Sequence, residues 1–343
     1  MRILYFSEAL VPPFDEGIKK ASWNLLRELQ KSHQVLALTN RGPGIAHADV
    51  RRVRANRLLL DAGLRRVVRG FRPEKSLYFP TACATLFSFI RARLLALYAG
   101  VPAEMIALQP RRYGRLARLA IPLLRAGPVW AQGEATARSL RALGCDVRML
   151  PPAVDAETFA PVSAPARAAL RTKHGIAADA YIILHVGHIL PNRNVSILAA
   201  LQAQTDAQVV VVGSTAFGAD GALVESLRDA GVIVFDDYLE RVEEMYQMAD
   251  CYVFPVQSAI GSIEVPLSVL EALACNLPVV SAPFGELPRL FPEGDGVHYF
   301  RTEGELVAAV QRTRESGPAG TRLRIAPYTW EAAARQIVGE AQP

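Results

Sequence analysis

The sequence predicts an α/β protein of two domains, each a parallel sheet covered by helices. Strand-length apolar runs alternate with helix-length segments from one end to the other, the pattern of βαβ units. A length of 343 residues exceeds one ordinary core and suits two. Near the middle, Leu150-Pro-Pro-Ala-Val-Asp155 and a Pro/Ala-rich stretch up to Ala166 interrupt the alternation, because prolines stop regular structure and mark linkers.

In the first half, Arg2 to Phe6 and Val35 to Thr39 read as strands. Between them Ile18 to Lys31 reads as a helix with Ile18, Leu25, Leu26 and Leu29 on one side. In the second half the strands are Tyr181 to Val186, Gln208 to Val212, Val232 to Phe235, Cys251 to Phe254 and Pro278 to Ser281, each followed by a loop and a helical stretch.

Composition narrows the class. With 51% apolar and 21% charged residues, disorder and fibrous repeats are excluded. Cys83, Cys145, Cys251 and Cys275 lie far apart among apolar neighbours, outside metal-ligand spacings, and read as reduced core residues of a reducing compartment. The N-terminus lacks the pattern of a signal peptide, and the most apolar run, Thr81 to Ala99, is interrupted by Arg91 and Arg93. A cytoplasmic protein is expected, with no transmembrane helix.

Charge is divided unevenly. Residues 1 to 150 hold 25 Lys+Arg against 10 Asp+Glu, a balance of +15, while residues 151 to 343 hold 13 against 23, a balance of −10. Such a split suggests that the halves meet different partners. Arg51, Arg52, Arg54, Arg57, Arg65, Arg66, Arg69 and Arg72 crowd one stretch of the first half. Arg111, Arg112, Arg115, Arg118 and Arg125 crowd another. Arginines spaced by three or four beside an apolar stripe suit a helix lying on an anionic membrane, and equally a solvated helical face. No zinc finger, RNP-like aromatic motif or recognition helix accompanies them, so nucleic acid is not an expected partner.

Two segments carry the pattern of a ligand site. His185-Val-Gly-His-Ile-Leu-Pro-Asn-Arg-Asn194 follows a strand directly and precedes a helix beginning near Val195. Gly187 lets a ligand approach the backbone, the helix N-terminus favours anions, and Arg193 can grip a diphosphate in fork geometry. An ordinary βα loop with an exposed arginine fits the same letters. The second segment runs from Ser258 to Ser281 and places Gly261, Ser262 and Ile263 in a loop before a helix from about Val269. Its amides can point at phosphate or sugar oxygens, and Glu271 can accept hydrogen bonds from ribose hydroxyls. Ser268-x-x-Glu271 also fits a capping box, in which Glu271 only returns to the N-cap amide.

The order of motifs resembles that of the retaining glycosyltransferases of family 4. The resemblance extends over nearly the whole chain and is strongest from Tyr181 to Pro288. There a strand followed by Gly and a basic residue is succeeded by Asp236-Asp237-Tyr238, Met248-Ala-Asp-Cys-Tyr-Val-Phe-Pro255 and Leu270-Glu-Ala-Leu-Ala-Cys-Asn-Leu-Pro-Val-Val280 in the family's order. Leu150-Pro-Pro-Ala-Val-Asp155 is similar to the family's linker, and Tyr328-Thr-Trp-Glu331 to the start of its last helix.

The resemblance implies the GT-B fold, with two Rossmann-like domains facing each other across a cleft. Residues 1–160 would bind the acceptor and residues 161–343 the nucleotide sugar, the last helix packing back on the first domain. It implies a metal-independent hexosyltransferase without cofactor, moving a sugar with retention from a nucleotide diphosphate sugar to a glycan or lipid-linked acceptor. Such work belongs to polysaccharide or glycolipid synthesis, peripheral on the inner face of a membrane, with Arg65, Arg66, Arg69, Arg72, Arg111 and Arg112 as the membrane or acceptor surface.

Residue by residue, Glu271 matches the second signature glutamate, which contacts the ribose. Arg193 matches the basic diphosphate ligand, usually lysine, and His188 stands where a second basic ligand is usual. The first signature glutamate falls at Ile263, so the catalytic candidate is Glu264, one place on, with a surface role as its alternative. Gly17 matches the glycine loop near the donor phosphates. The departures at His188 and Ile263 keep two other readings open, a GT-B nucleotide-sugar epimerase and a non-catalytic nucleotide-sugar-binding protein.

Overall fold

The computed structural model describes residues 1–340 except 43, 57, 82, 216–217, 259–261 and 318, with His47 described by its backbone alone. Arg57 and Gly261 lie outside the described residues.

The chain divides into two compact units. The first contains β1 (Arg2–Ser7), α1 (Gly17–Ser32), β2 (Gln34–Thr39), β3 (Val50–Arg52), α2 (Ala62–Phe71), β4 (Lys75–Phe79), α3 (Leu86–Ala99), β5 (Ala103–Ala107), α4 (Arg115–Leu124), β6 (Val129–Ala131), α5 (Glu134–Arg141) and β7 (Val147–Met149). Its seven strands are all parallel, in the order β3-β2-β1-β4-β5-β6-β7. Ile3, Leu4, Tyr5 and Phe6 of β1 are fully buried, as expected of a parallel strand covered on both faces. Helix α1 forms as its periodicity predicts. Ile18, Ala21, Leu25, Leu26 and Leu29 face the sheet, and the Glu16 carboxylate caps the start by accepting from the Ile18 and Lys19 amides.

The second unit contains α6 (Ala164–Lys173), β8 (Ile182–Gly187), α7 (Ile197–Gln204), β9 (Gln208–Gly213), α8 (Gly221–Asp229), β10 (Ile233–Phe235), α9 (Glu243–Met248), β11 (Cys251–Phe254), α10 (Leu267–Ala274), β12 (Val279–Ser281), α11 (Leu287–Leu290), β13 (Val297–Tyr299) and α12 (Glu303–Ser316). Its six parallel strands run β10-β9-β8-β11-β12-β13. Ile183, Val209, Val211, Val253 and Val280 form the middle of one core cluster. Asp250, from the Met248-Ala-Asp motif, serves the framework. One carboxylate oxygen accepts from Arg171 and from the Ile182 amide, both at 2.7 Å, and the other accepts from Arg167, so α6 is tied to the entrances of β8 and β11.

The boundary lies at Pro152/Ala153, eight residues before the expected one, because the residues after Pro152 pack with the second unit. Val154 pairs with Thr329, and Arg322 donates to the Ala156 and Phe159 carbonyls. The last helix, α13 (Trp330–Val338), groups with the first unit, packing on α1 and donating from Gln336 to the Met149 carbonyl. Ser262, Ile263 and Glu264 also group with the first unit, although they lie between β11 and α10 in sequence.

No helix among the described residues is long and apolar enough to cross a membrane. All four cysteines are free. Burial pushes the Cys145 thiol up to about 11 and those of Cys251 and Cys275 up to about 12, so these three stay protonated at neutral pH.

Candidate functional site

In the second sheet β8 is flanked by β9 on one side and β11 on the other. Strand order reverses there, and the C-terminal ends of the strands at such a reversal are the usual ligand position in a doubly wound sheet. The loop after β8 carries Gly187, His188 and Arg193, and the helix after β11 carries Glu271. Hydrogen bonds hold the first of these loops. The Ser214 amide donates to the Gly187 carbonyl at 3.2 Å and the Asp220 amide to that of Ile189 at 2.9 Å. A short 3₁₀ turn, Pro191–Arg193, ends at Asn194 in the left-handed region (φ 56°). Asn194 then donates to the Pro255 carbonyl at 3.2 Å, joining the loops that follow β8 and β11. Arg193 is buried rather than exposed, and α7 begins at Ile197, two residues later than expected.

Glu271 is 2% exposed. Tyr246, fully buried on α9, donates to its Oε2 at 2.9 Å. The capping-box alternative is overturned: α10 starts at Leu267 with Pro266 as its N-cap, and Ser268 lies inside the helix. Behind the carboxylate stands a column of rings. Tyr246 stacks on Tyr252 at 5.7 Å, and Tyr252 stacks on His185 at 6.4 Å while donating to the Val186 carbonyl. His185 Nδ1 lies 3.0 Å from the Val253 carbonyl, which fixes the proton on that nitrogen. Burial, with smaller contributions from Arg193 and His188, pushes the imidazole down to about 4, so it is neutral in the folded protein. Gly187 keeps room for this ring, since a Cβ there would stand 3.2 Å from His185 Nε2. These aromatic residues were not singled out in the sequence because they sit in apolar runs that read as core.

The first unit gathers the other candidates differently. Glu264 is 2% exposed, and its carboxylate accepts from the Thr136 amide at 3.3 and 3.4 Å, at the first turn of α5. Its own amide donates to the Leu108 carbonyl at 3.3 Å. A Cβ on Gly133, the N-cap of α5, would overlap this carboxylate. The residue expected to reach a donor sugar is thus placed as a helix cap, a favourable position for negative charge. Gly17 and Ile263 meet each other: a Cβ on Gly17 would fall 3.0 Å from Ile263 Cδ1. Gly17 is the first residue of α1, whose leading amides are taken by Glu16, a carboxyl that burial raises. A side chain at this position would therefore meet Ile263, and the neighbouring carboxylate is turned to the helix amides. Ser262 lies in the same segment and is half-buried.

At the reversal of the first sheet, between β1 and β4, the buried Glu8 accepts from Tyr78 at 2.9 Å and pairs with Arg91. This cluster was also missed, since its members lie far apart in sequence. Arg65, Arg66, Arg69 and Arg72 are exposed on and after α2, whose apolar residues Leu64 and Val68 are buried in the core. Arg69 and Arg72 line an open groove of about 650 Å³ with Arg2, Glu74 and Tyr98. Arg111 and Arg112 are exposed just before α4.

Residues 180–315 match the family model described as Glycosyl transferases group 1. A D-inositol 3-phosphate glycosyltransferase of Geodermatophilus obscurus is 31% identical over 222 residues, covering 57% of this chain and 47% of that protein. The chain therefore spans about half the length of the curated relatives it matches. Among solved structures, Anabaena HepE in complex with UDP superposes with a TM-score of 0.78 at 15% identity, covering 99% of both chains. Sucrose-phosphate synthase from Thermosynechococcus elongatus does so at 0.75 and 18% identity, covering 99% of this chain and 98% of that one. The fold is GT-B.

Two outcomes follow from this geometry. Replacing Glu264 with Ala removes the carboxylate from the start of α5 and should lower stability by about 0.5–2 kcal/mol, with Glu264→Gln recovering part of it. Denaturant titration measures this, and unchanged midpoints in both variants would remove the capping role. His185 generates an acid limb. Its unfolded-state value is 6.5 and its folded value about 4, so the unfolded chain takes up a proton first as pH falls. Stability present above pH 6.5 should decline between there and about 4, by on the order of 3 kcal/mol. His185→Phe, which keeps the stack on Tyr252, should flatten that limb in melting curves taken across this range.

Proposed function

We propose that the chain is a glycosyltransferase that binds a nucleotide diphosphate sugar at the C-terminal ends of β8 and β11 and moves the hexose to a glycan or lipid-linked acceptor. Transfer proceeds with retention of configuration and needs no metal ion. The observation that carries this reading is the placement of Arg193 and Glu271 on the two segments that leave the order reversal of the second sheet. The family match over residues 180–315 supports it, as do the complexes of HepE with UDP and with UDP-glucose.

Each residue then has a task. The departing nucleoside diphosphate gains negative charge as the glycosidic bond breaks, and Arg193 stabilises that charge through paired N–H donors in a site of low dielectric. The α7 N-terminus and His188 border the same loop. Glu271 accepts hydrogen bonds from the ribose hydroxyls. The hydrogen bond from Tyr246 to Oε2 orients the group. His185 is neutral and adds no positive charge to the site.

Binding tests separate these roles. Arg193→Ala should weaken UDP by about 10- to 100-fold and uridine little, with Arg193→Lys intermediate. Calorimetric titration with both ligands decides, and equal losses would place Arg193 away from the diphosphate. Glu271→Ala should weaken UDP and uridine alike by at least ~10-fold, because the ribose is common to both. A lower melting temperature with unchanged affinity would make the carboxylate structural only.

Turnover is tested by UDP release from UDP-glucose with glycan and lipid-linked acceptors in EDTA-containing buffer. Acceptor-dependent release supports transfer, and loss of release in EDTA contradicts the metal-free step. Product formation without any acceptor points to the epimerase reading. Nucleotide-sugar binding with no turnover on any acceptor points to the non-catalytic one, which the engagement of Glu264 at α5 favours.

A further inference from the structure

The helices α2 and α4 look alike in sequence, with arginines beside an apolar stripe, but they spend that stripe differently. In α2 the stripe is buried. In α4 only Ile121 is buried, while Leu116, Leu119 and Leu123 are 74%, 75% and 84% exposed. Spacings of three and four residues put these leucines on one face, opposite Ile121. An exposed stripe of three leucines is costly in water and marks an interaction surface.

Charge around it is of one sign. Between Glu104 and Glu134 the sequence contains Arg111, Arg112, Arg115, Arg118 and Arg125 and no Asp or Glu. All five are exposed. Three of them lean on nearby backbone or a thiol: Arg118 donates to the Tyr113 carbonyl, Arg125 to that of Pro122, and Arg111 to Cys83 Sγ. Their charge is thus held at the surface without a neutralising carboxylate in this stretch. A soluble acidic acceptor would use the arginines but leave the leucines in water. A second copy of the chain would cover the leucines but bring two sets of five arginines together.

We propose that α4 seats the first unit on an anionic lipid bilayer, Leu116, Leu119 and Leu123 entering the headgroup–acyl boundary while Arg111, Arg112, Arg115 and Arg118 meet lipid phosphates. Long arginine stems suit this arrangement, since they reach upward to the headgroups from a helix lying in the interface plane. The inference is independent of the nucleotide site, and its test involves no turnover.

The test is flotation of the full chain with phosphatidylglycerol/phosphatidylcholine vesicles and with pure phosphatidylcholine vesicles, at low and high salt. Wild type should float with the anionic vesicles alone, and less as salt rises. The triple variant Leu116→Gln, Leu119→Gln, Leu123→Gln should bind at least ~10-fold more weakly, given the apolar area withdrawn from the interface. Its melting temperature should be unchanged, because these side chains touch water already. Arg111→Gln, Arg112→Gln, Arg115→Gln and Arg118→Gln together should abolish the salt dependence. Replacing Arg65, Arg66, Arg69 and Arg72 with Gln should have a smaller effect than the leucine triple. Absence of binding at low salt, or undiminished binding by the leucine triple, overturns the proposal. So does a wild-type dimer in sedimentation velocity that the leucine triple converts to monomer without loss of vesicle binding, which would assign the stripe to a second copy.

Discussion

The central strands of both sheets are buried on both faces, so a side chain in the middle of β1 or β8 has nowhere to meet water. Polar chemistry is displaced to the C-terminal ends of the strands, where loops begin. β1 shows the rule in four consecutive buried residues, Ile3 to Phe6, followed at once by Ser7 and Glu8. β8 shows it with Ile182, Ile183 and Leu184, followed by His185, Gly187 and His188. His185 is the informative exception, a buried imidazole that remains because the Val253 carbonyl takes its one proton and burial keeps the ring neutral. The ring column resting on it carries Tyr246 to the Glu271 carboxylate. The site residue on α10 is therefore positioned from the floor of the sheet rather than from its own helix.

Helix starts are the second resource of such folds, and individual helices use theirs differently. In the first unit α1 receives Glu16 and α5 receives Glu264, so negative charge from the chain itself already lies against both positive ends. In the second unit the N-cap residues of α7 and α10, Ser196 and Pro266, make no side-chain cap bond, whereas Asp220 caps α8. The α7 N-terminus contributes fixed positive potential to the loop that carries Arg193, in the half of the chain whose net charge is negative. At long range the −10 balance repels a diphosphate, and a Debye length of about 8 Å at physiological salt confines that repulsion to its surroundings. Short-range donors decide the outcome.

Much of this was legible in the sequence, and what was legible was local. Strand runs, the α1 periodicity, and the two segments ending at Arg193 and Glu271 depend on neighbours within one βα unit. The contacts that sequence reasoning did not foresee depend on distant partners. Glu264 bonds to a residue 128 positions away, and Gly17 makes room for Ile263, so neither spacing nor propensity carries a trace of either contact. The capping box at Ser268 failed for a different reason. Pro266 already supplies the extended residue before the first turn, since proline's fixed φ suits the start of a helix and leaves Ser268 inside it. Glu271, released from that role, reaches Tyr246.

The α2 and α4 pair shows why pattern and placement are separate information. Both helices combine leucine or valine at helical spacing with several arginines, and both satisfy the same periodicity test. Which stripe meets the core depends on the sheet beneath. Leu64 and Val68 share a core cluster with Leu4, Leu36 and Tyr78, whereas α4 contributes only Ile121 as a buried member. A helix that anchors through Ile121, with Ala117 and Leu124 partly buried beside it, has the opposite face left outside the core. In α4 that remainder is apolar on one face and basic beside it, a combination that water tolerates poorly and an anionic interface accepts. The +15 balance of residues 1 to 150 then has a direction as well as a size, since its apolar complement is on the same helix as five of its charges or immediately beside it.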